Sequence, residues 1–335
     1  MRAADPGILE RAIYALSLLS GLSKTELDFV FKGGTALLLH LPNPLRLSID
    51  IDIVCETDRE ELAGIFDQMI QDLPFHRWEE HERAANRLPK RLHFKFFYQS
   101  PFVPSDEVAV LLDVVTEANV LTDLVQRSLD LSFIETTEEI AITTPSANAL
   151  LGDKLTAFAP NTVGVPLRDG YTLQVIKQLF DIGQLYDVVT DTSAVADANR
   201  TNFESERGYR KSSVSYRDYL DDVLQICETL CCLDLKGSAE TETTGLLRQG
   251  IRQLPNHLIQ QKFRLPQVKI AAGKAAALAT FLRQESMVES LPLYDSSHIE
   301  AIKAHDIAPE LASLQRLKKI QPEAYFYWMA ADMPI

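Results

Sequence analysis

The chain has 335 residues, 46% of them hydrophobic and 24% charged, with 47 acidic side chains against 33 basic and a formal net charge of −14. That length and apolar content supply a sizeable core without staples, in one large domain or two ordinary ones. The acidity excludes a protein that coats nucleic acid through a broad basic surface, yet leaves room for a local basic groove, because the field follows placement rather than the sum. No apolar stretch reaches the roughly 20 residues of a membrane span, and the first residues, with Asp5, Pro6 and Glu10, do not read as a signal peptide. A reducing cytoplasm is the expected location. Cys55, Cys227, Cys231 and Cys232 make no paired zinc pattern; Cys227 and Cys231 stand one helical turn apart and read as small apolar core residues.

In chain order, Ile8, Leu9, Ile13, Leu16 and Leu19 predict an amphipathic helix over 7–20. A short helix near 24–29 leads into Phe29-Val30-Phe31, and after Gly33-Gly34 a helix runs from Thr35 to His40, stopping before the loop Pro42-Asn43-Pro44. From Leu47 to Cys55 the chain alternates, with Ile49, Ile51 and Ile53 on one face and Ser48, Asp50 and Asp52 on the other, which is a half-buried strand. A helix follows at 58–71, then strands at 92–98 and 108–116, the second almost wholly apolar and therefore interior to a sheet, and a further strand at 140–143. Beyond Pro145 the pattern is helical, with helices at 145–158, 171–189, 214–233, 243–252 and 267–288. The polar segment 191–213 reads as a mobile connection. The expected layout is an α/β domain over 1–145 and an all-helical domain over 146–335.

Three features of the first half carry chemistry. Gly33-Gly34-Thr35 opens a helix, where glycines admit close approach of a ligand and free N–H groups attract phosphate oxygens; a plain loop entry is the competing reading. Asp50 and Asp52, one residue apart on a strand, project from the same face, and their repulsion favours a cation between them, Mg²⁺ shared with substrate phosphates being the natural one. Two solvated aspartates on an edge strand would look the same. Asp113 interrupts the apolar run from Val108 to Val115, where a carboxylate needs a partner; if its strand neighbours that of Asp50 and Asp52, it completes a metal cluster, and otherwise it reaches solvent near a strand end. Together they form one plan. One metal would orient a triphosphate, and a second, held by Asp113, would bring an acceptor hydroxyl to the α-phosphorus.

These residues also resemble a known family. Phe31-Lys32-Gly33-Gly34-Thr35-Ala36-Leu37, followed by Arg46-x-Ser48-x-Asp50-x-Asp52, is similar to the first motif of the AbiEii/AbiGii-type toxin nucleotidyltransferases of the DNA polymerase beta-like superfamily. That family includes toxins of toxin–antitoxin and abortive-infection systems and the MenT toxins, which add nucleotides to tRNA acceptor ends. The resemblance covers about residues 29–190 and implies an α+β fold, a nucleotidyltransferase-like mixed sheet with flanking helices ahead of the helical half. It implies that Lys32, Gly33, Gly34, Thr35, Arg46 and Ser48 bind the nucleotide and that Asp50, Asp52 and Asp113 hold Mg²⁺. It further matches Lys154, in Leu151-Gly152-Asp153-Lys154-Leu155, to a helical lysine that engages the nucleotide, and Asp181 to a downstream aspartate. Where many relatives carry Arg-Asp, this chain has Lys177-Gln178, so Asp187 competes with Asp181 for that role. On the residues alone, Lys154 either seeks an anion or snorkels to the surface, and Asp181 is either functional or simply solvated beside a core run.

Positive charge clusters in two acid-free stretches. One holds Arg83, Arg87, Lys90, Arg91 and Lys95 among Phe94, Phe96, Phe97 and Tyr98, aromatics that read as sheet core. The other, Gly245 to Gln284, holds Arg248, Arg252, Lys262, Arg264, Lys269, Lys274 and Arg283, either a face for a nucleic-acid backbone or a counterweight to acids such as Asp218, Asp221 and Asp222. The expected function is transfer of a nucleoside monophosphate from a nucleoside triphosphate to RNA, a tRNA 3′ end, by a toxin with a cognate antitoxin. Transfer to a protein or small molecule, and a catalytically inactive nucleotide-binding module, are the alternatives.

Overall fold

The computed structural model describes residues 6–42, 45–81, 89–102, 107–117, 119–131, 138–259, 262–285 and 288–332. Asn43, Pro44, Arg83 and Arg87 lie outside them. The chain divides into two compact units, Met1–Ser146 with Asn256–Gln261, and Ala147–Pro255 with Lys262–Ile335.

The first unit holds α1 (Pro6–Ser23), β1 (Val30–Lys32), the one-turn α2 (Gly33–Ala36), β2 (Asp50–Val54), α3 (Arg59–Met69), β3 (Arg77–Glu80), β4 (Arg91–Gln99), β5 (Glu107–Val115), β6 (Leu124–Ser128) and β7 (Ala141–Pro145). Five strands form a mixed sheet in the order β1-β2-β5-β4-β3, parallel only between β2 and β5, and β6 pairs with β7 in a separate antiparallel ribbon. The apolar β5 is the central strand. One sheet face is covered by helices: Phe66 of α3 meets Phe94 and Phe96 edge-on, and Tyr14 of α1 stacks on Tyr98. Phe94, Phe96 and Tyr98 are therefore core.

Local chemistry explains where the sequence reading needs correction. The buried side of α1 runs through Ala12, Ala15, Leu16, Leu19 and Leu22, whereas Leu9 and Ile13 are exposed. Residues 24–29 are not helical: the Thr25 hydroxyl donates to the Leu22 carbonyl and accepts from Leu27 N–H, closing a turn that competes with a helix. The strands β3 and β6 are too polar to announce themselves by alternation.

The second unit is helical: α4 (Ala147–Ala157), α5 (Thr172–Leu185), α6 (Thr192–Tyr209), α7 (Tyr216–Cys232), α8 (Glu242–Gln253), α9 (Leu265–Gln284), α10 (Ile299–Ala304), α11 (Leu317–Ile320) and α12 (Pro322–Asp332). The segment expected to be a mobile connection is mostly α6. Asp191 caps it by accepting from Ser193 and Ala194 N–H, and Val195, Ala198, Asn199 and Phe203 form a narrow buried stripe. Its polar composition hid that stripe. The near-apolar α9 is buried along most of its length. No helix among the described residues is long and apolar enough to cross a membrane.

Candidate active site

The glycine turn and the carboxylate strand are built against each other. Gly33 has φ +79°, a conformation that favours glycine, and a Cβ placed there would lie 2.1 Å from Asp52 Oδ2. A Cβ on Gly34 would meet Arg46 Nη2 at 2.7 Å and Ser48 Oγ at 3.2 Å. Thr35 is fully buried, and its hydroxyl donates to the Asp50 carbonyl at 2.6 Å, tying α2 to the start of β2. That bond gives Thr35 a positioning task. Arg46, 7% exposed, is braced from far along the chain: it pairs with Leu258, and Ile259 N–H donates to the Leu45 carbonyl at 2.8 Å. Lys32, Gly33, Gly34, Thr35, Arg46, Ser48, Asp50 and Asp52 thus come together in one corner of the first unit.

Sheet register extends the corner into a row. Lys32 lies opposite Asp52, Asp52 beside Asp113, and Asp113 opposite His93. Register partners share a face, so all four side chains lie on the face opposite α1 and α3, as does Asp50 two residues along. Neighbouring strands are about 4.8 Å apart, so carboxylates on Asp52 and Asp113 repel by an amount on the order of 4 kcal/mol at a surface-like dielectric. Donors stand at both ends of the row. His93 Nδ1 contacts Asp113 Oδ1 at 2.6 Å, and because an ionised carboxylate only accepts, the imidazole donates. His93 carried no signal in the sequence, since only the β4–β5 register brings it to Asp113.

The donor set, three carboxylates on one face of adjacent strands, has the hardness that Mg²⁺ takes. Among the described residues no three His, Cys, Asp or Glu side chains converge as a finished cage. Mg²⁺ that carries phosphates usually takes only one or two carboxylates from the protein and completes its shell with substrate oxygens and water, a demand that carboxylates on adjacent strands would meet.

In the second unit, Lys154 is buried on α4 and makes a long ion pair with Asp153 Oδ2 at 4.0 Å. Gly152 lets α6 press against this helix, where a Cβ would meet Asn199 N at 2.7 Å and Val195 O at 2.8 Å. Asn199 Nδ2 donates to the Gly152 carbonyl and to the Tyr219 hydroxyl, locking α4 to α6 and α7. Asp181 is 2% exposed on α5, not solvated. Asp187 is accounted for differently: both its oxygens accept from Lys274 Nζ at 2.7 Å.

The model of the AbiEii nucleotidyl transferase toxins of type IV toxin–antitoxin systems matches residues 17–284. The chain belongs to this family. It is a toxin nucleotidyltransferase, and its family implies an antitoxin partner. Its fold is similar to that of MenT4, a nucleotidyltransferase toxin from Mycobacterium tuberculosis H37Rv, at 13% identity and TM-score 0.51, covering 95% of this chain and 92% of that one. JHP933 from Helicobacter pylori aligns at 12% identity and TM-score 0.49, over 84% of this chain and 94% of that one. No curated protein matches in sequence.

Much of the toxin's acid-free stretch is internally paired. Arg248 binds Asp234 and Glu240, Arg283 binds Asp221, and Lys274 binds Asp187. Lys269 donates to the Cys231 and Leu233 carbonyls at the end of α7. Arg252, Lys262 and Arg264 remain exposed. The cysteines are structural: burial pushes the Cys231 thiol up to about 12 and Cys227 well above its usual range, so neither forms a thiolate.

Proposed function

We propose that the toxin transfers a nucleoside monophosphate from an Mg²⁺-bound nucleoside triphosphate to the 3′ end of tRNA in the cytoplasm. The observation that carries this reading is the shared face and register of Asp50, Asp52 and Asp113 beside the Gly33-Gly34 turn. Asp50, Asp52 and Asp113 are the residues that would hold Mg²⁺, which when bound supplies Lewis-acid stabilisation of the charge developing on the reacting phosphate. Lys32, Gly33, Gly34, Arg46 and Ser48 receive the triphosphate, with Thr35 fixing their turn; the family resemblance matches Lys154 to a lysine that engages the nucleotide and Asp181 to the downstream aspartate. Asp113 orients the acceptor hydroxyl and takes its proton. The new bond joins that oxygen to the α-phosphorus, the α–β phosphoanhydride bond breaks, and pyrophosphate leaves.

Exposed Arg252, Lys262 and Arg264, with Lys90 and Arg91 in the first unit, are cations an RNA backbone can meet. The internal pairing of Arg248, Lys269, Lys274 and Arg283 supports a second reading, transfer to a protein or small molecule. Incubation with total tRNA, Mg²⁺ and each labelled nucleoside triphosphate in turn, beside an Asp52→Ala control, separates them. Label on tRNA that vanishes in the control is the expected result. Label on protein or a small molecule would move the acceptor, and nucleotide binding without transfer would leave only a binding module.

A further inference from the structure

We propose that His93 is a positioning residue that fixes the Asp113 carboxylate for the ion and acceptor, an inference that rests on the metal-dependent transfer above. The two residues are direct partners across the β4–β5 pair, and the Nδ1–Oδ1 distance of 2.6 Å is that of a charge-assisted hydrogen bond. The side chains are 14% and 26% exposed, so water competes weakly for the donor.

A carboxylate at the middle of a strand can turn about its last torsion with little resistance, because such terminal torsions have broad wells. His93 removes that freedom. With Oδ1 engaged, Oδ2 is the oxygen left for a further partner, and its direction is set by the imidazole. The demand for such a restraint comes from the row itself. Asp52 on β2 and Asp113 on β5 stand side by side in parallel register, and two like charges at this spacing swing apart unless each is held. Beside Asp52 Oδ2 stands Gly33, where any Cβ would lie 2.1 Å from that oxygen, and Asp113 has His93. The two carboxylates, which register places on the same face, are therefore bordered by different elements, α2 on one side and β4 on the other. Partners of this kind, one shell out from an ion, typically govern affinity or activity by about 10- to 100-fold.

Two substitutions in the full chain separate donation from packing. His93→Asn keeps an N–H donor near the Nδ1 position but loses ring volume, whereas His93→Phe keeps the ring and loses the donor. The readouts are Mn²⁺ affinity, from the electron paramagnetic resonance of free Mn²⁺ with a non-hydrolysable nucleoside triphosphate present, and the Mg²⁺ concentration giving half-maximal label transfer. His93→Phe is expected to weaken Mn²⁺ binding about 10- to 100-fold and to raise the Mg²⁺ requirement in parallel, with His93→Asn within about threefold of wild type. The inference is overturned if His93→Phe matches or exceeds His93→Asn in both readouts. A wild-type chain that neither binds Mn²⁺ nor transfers label would sink the metal-dependent reading along with it. A wild type active in both, with the Phe variant unharmed, sinks the positioning role alone.

Discussion

Gly33→Ala tests the construction of the site at its tightest point. Two effects add. At φ +79° an alanine pays roughly 1–2 kcal/mol for left-handed backbone, and the new methyl would stand 2.1 Å from Asp52 Oδ2, so the carboxylate must retreat by nearly 1 Å to reach even a tight contact. A displacement of that size at a reacting centre costs on the order of 100-fold in rate. Gly34→Ala is the control: its φ is ordinary and its nearest neighbours are the ends of the Arg46 and Ser48 side chains, so its stability should stay within about 1 kcal/mol of wild type. Urea unfolding followed by Trp78 fluorescence reports the first unit, because the second of the two tryptophans, Trp328, can be replaced by Phe in the background. The expected result is a loss of about 1–2 kcal/mol for Gly33→Ala together with a roughly 100-fold loss of labelling or of growth arrest. A Gly33→Ala chain as stable and active as wild type, or one no worse than Gly34→Ala, would refute the close-approach argument.

Asp181→Asn should abolish transfer with the fold intact, whereas Asp187→Asn should keep transfer and lose about 1–2 kcal/mol, since Lys274 is left buried beside a half-exposed neutral partner; activity and urea midpoints measured on both variants decide it, and the reverse pattern would exchange their roles. Lys269→Met leaves the Cys231 and Leu233 carbonyls without their donor and should cost about 1–3 kcal/mol in the unfolding midpoint without changing the nucleotide or metal requirement. His40 makes the first unit acid-sensitive: burial, with the Arg127 charge adding, holds its imidazole down at about 4 against 6.5 when unfolded. The unfolded chain therefore takes up the proton first, so this contribution is complete above pH 6.5 and is lost as pH falls toward 4. Urea midpoints across that range should fall less steeply for His40→Leu, and an unchanged slope would exclude His40 as the source.

Nucleotidyl-transfer chemistry was legible wherever it is local. Alternation around Asp50 and Asp52 states which face they share, because a strand has period two, and the interruption of an apolar strand by Asp113 announces a carboxylate in need of a partner. The family motif from Phe31 to Asp52 lies within one short stretch for the same reason: the Gly33 backbone must touch the Asp52 carboxylate, and a short connection does that at little entropic cost. The helical second half was plain as far as α9, apart from α6, where the buried stripe is too narrow to outweigh its polar faces; α10, α11 and α12 lie beyond the helices the sequence predicted.

What depends on pairing between distant segments could not be read that way. Lys32, Asp52, Asp113 and His93 come from four strands, and only hydrogen-bonded register makes them one row; a shift of one residue in β4 would send His93 to the helix-covered face. Leu258 and Ile259 return to brace Arg46 from more than two hundred residues away, with no pattern of their own to declare it. The acid-free stretch left a binding face and a counterweight to acids equally open because sequence counts charges, while the fold decides which of them meet a partner: Lys274 with Asp187, Arg283 with Asp221, Lys269 with the end of α7. Residue types and short spacings thus determined the chemistry available to this toxin. Tertiary structure decided which groups are oriented, which are neutralised and which remain to meet substrate, because orientation and neutralisation act through space over a few ångströms and are blind to separation along the chain.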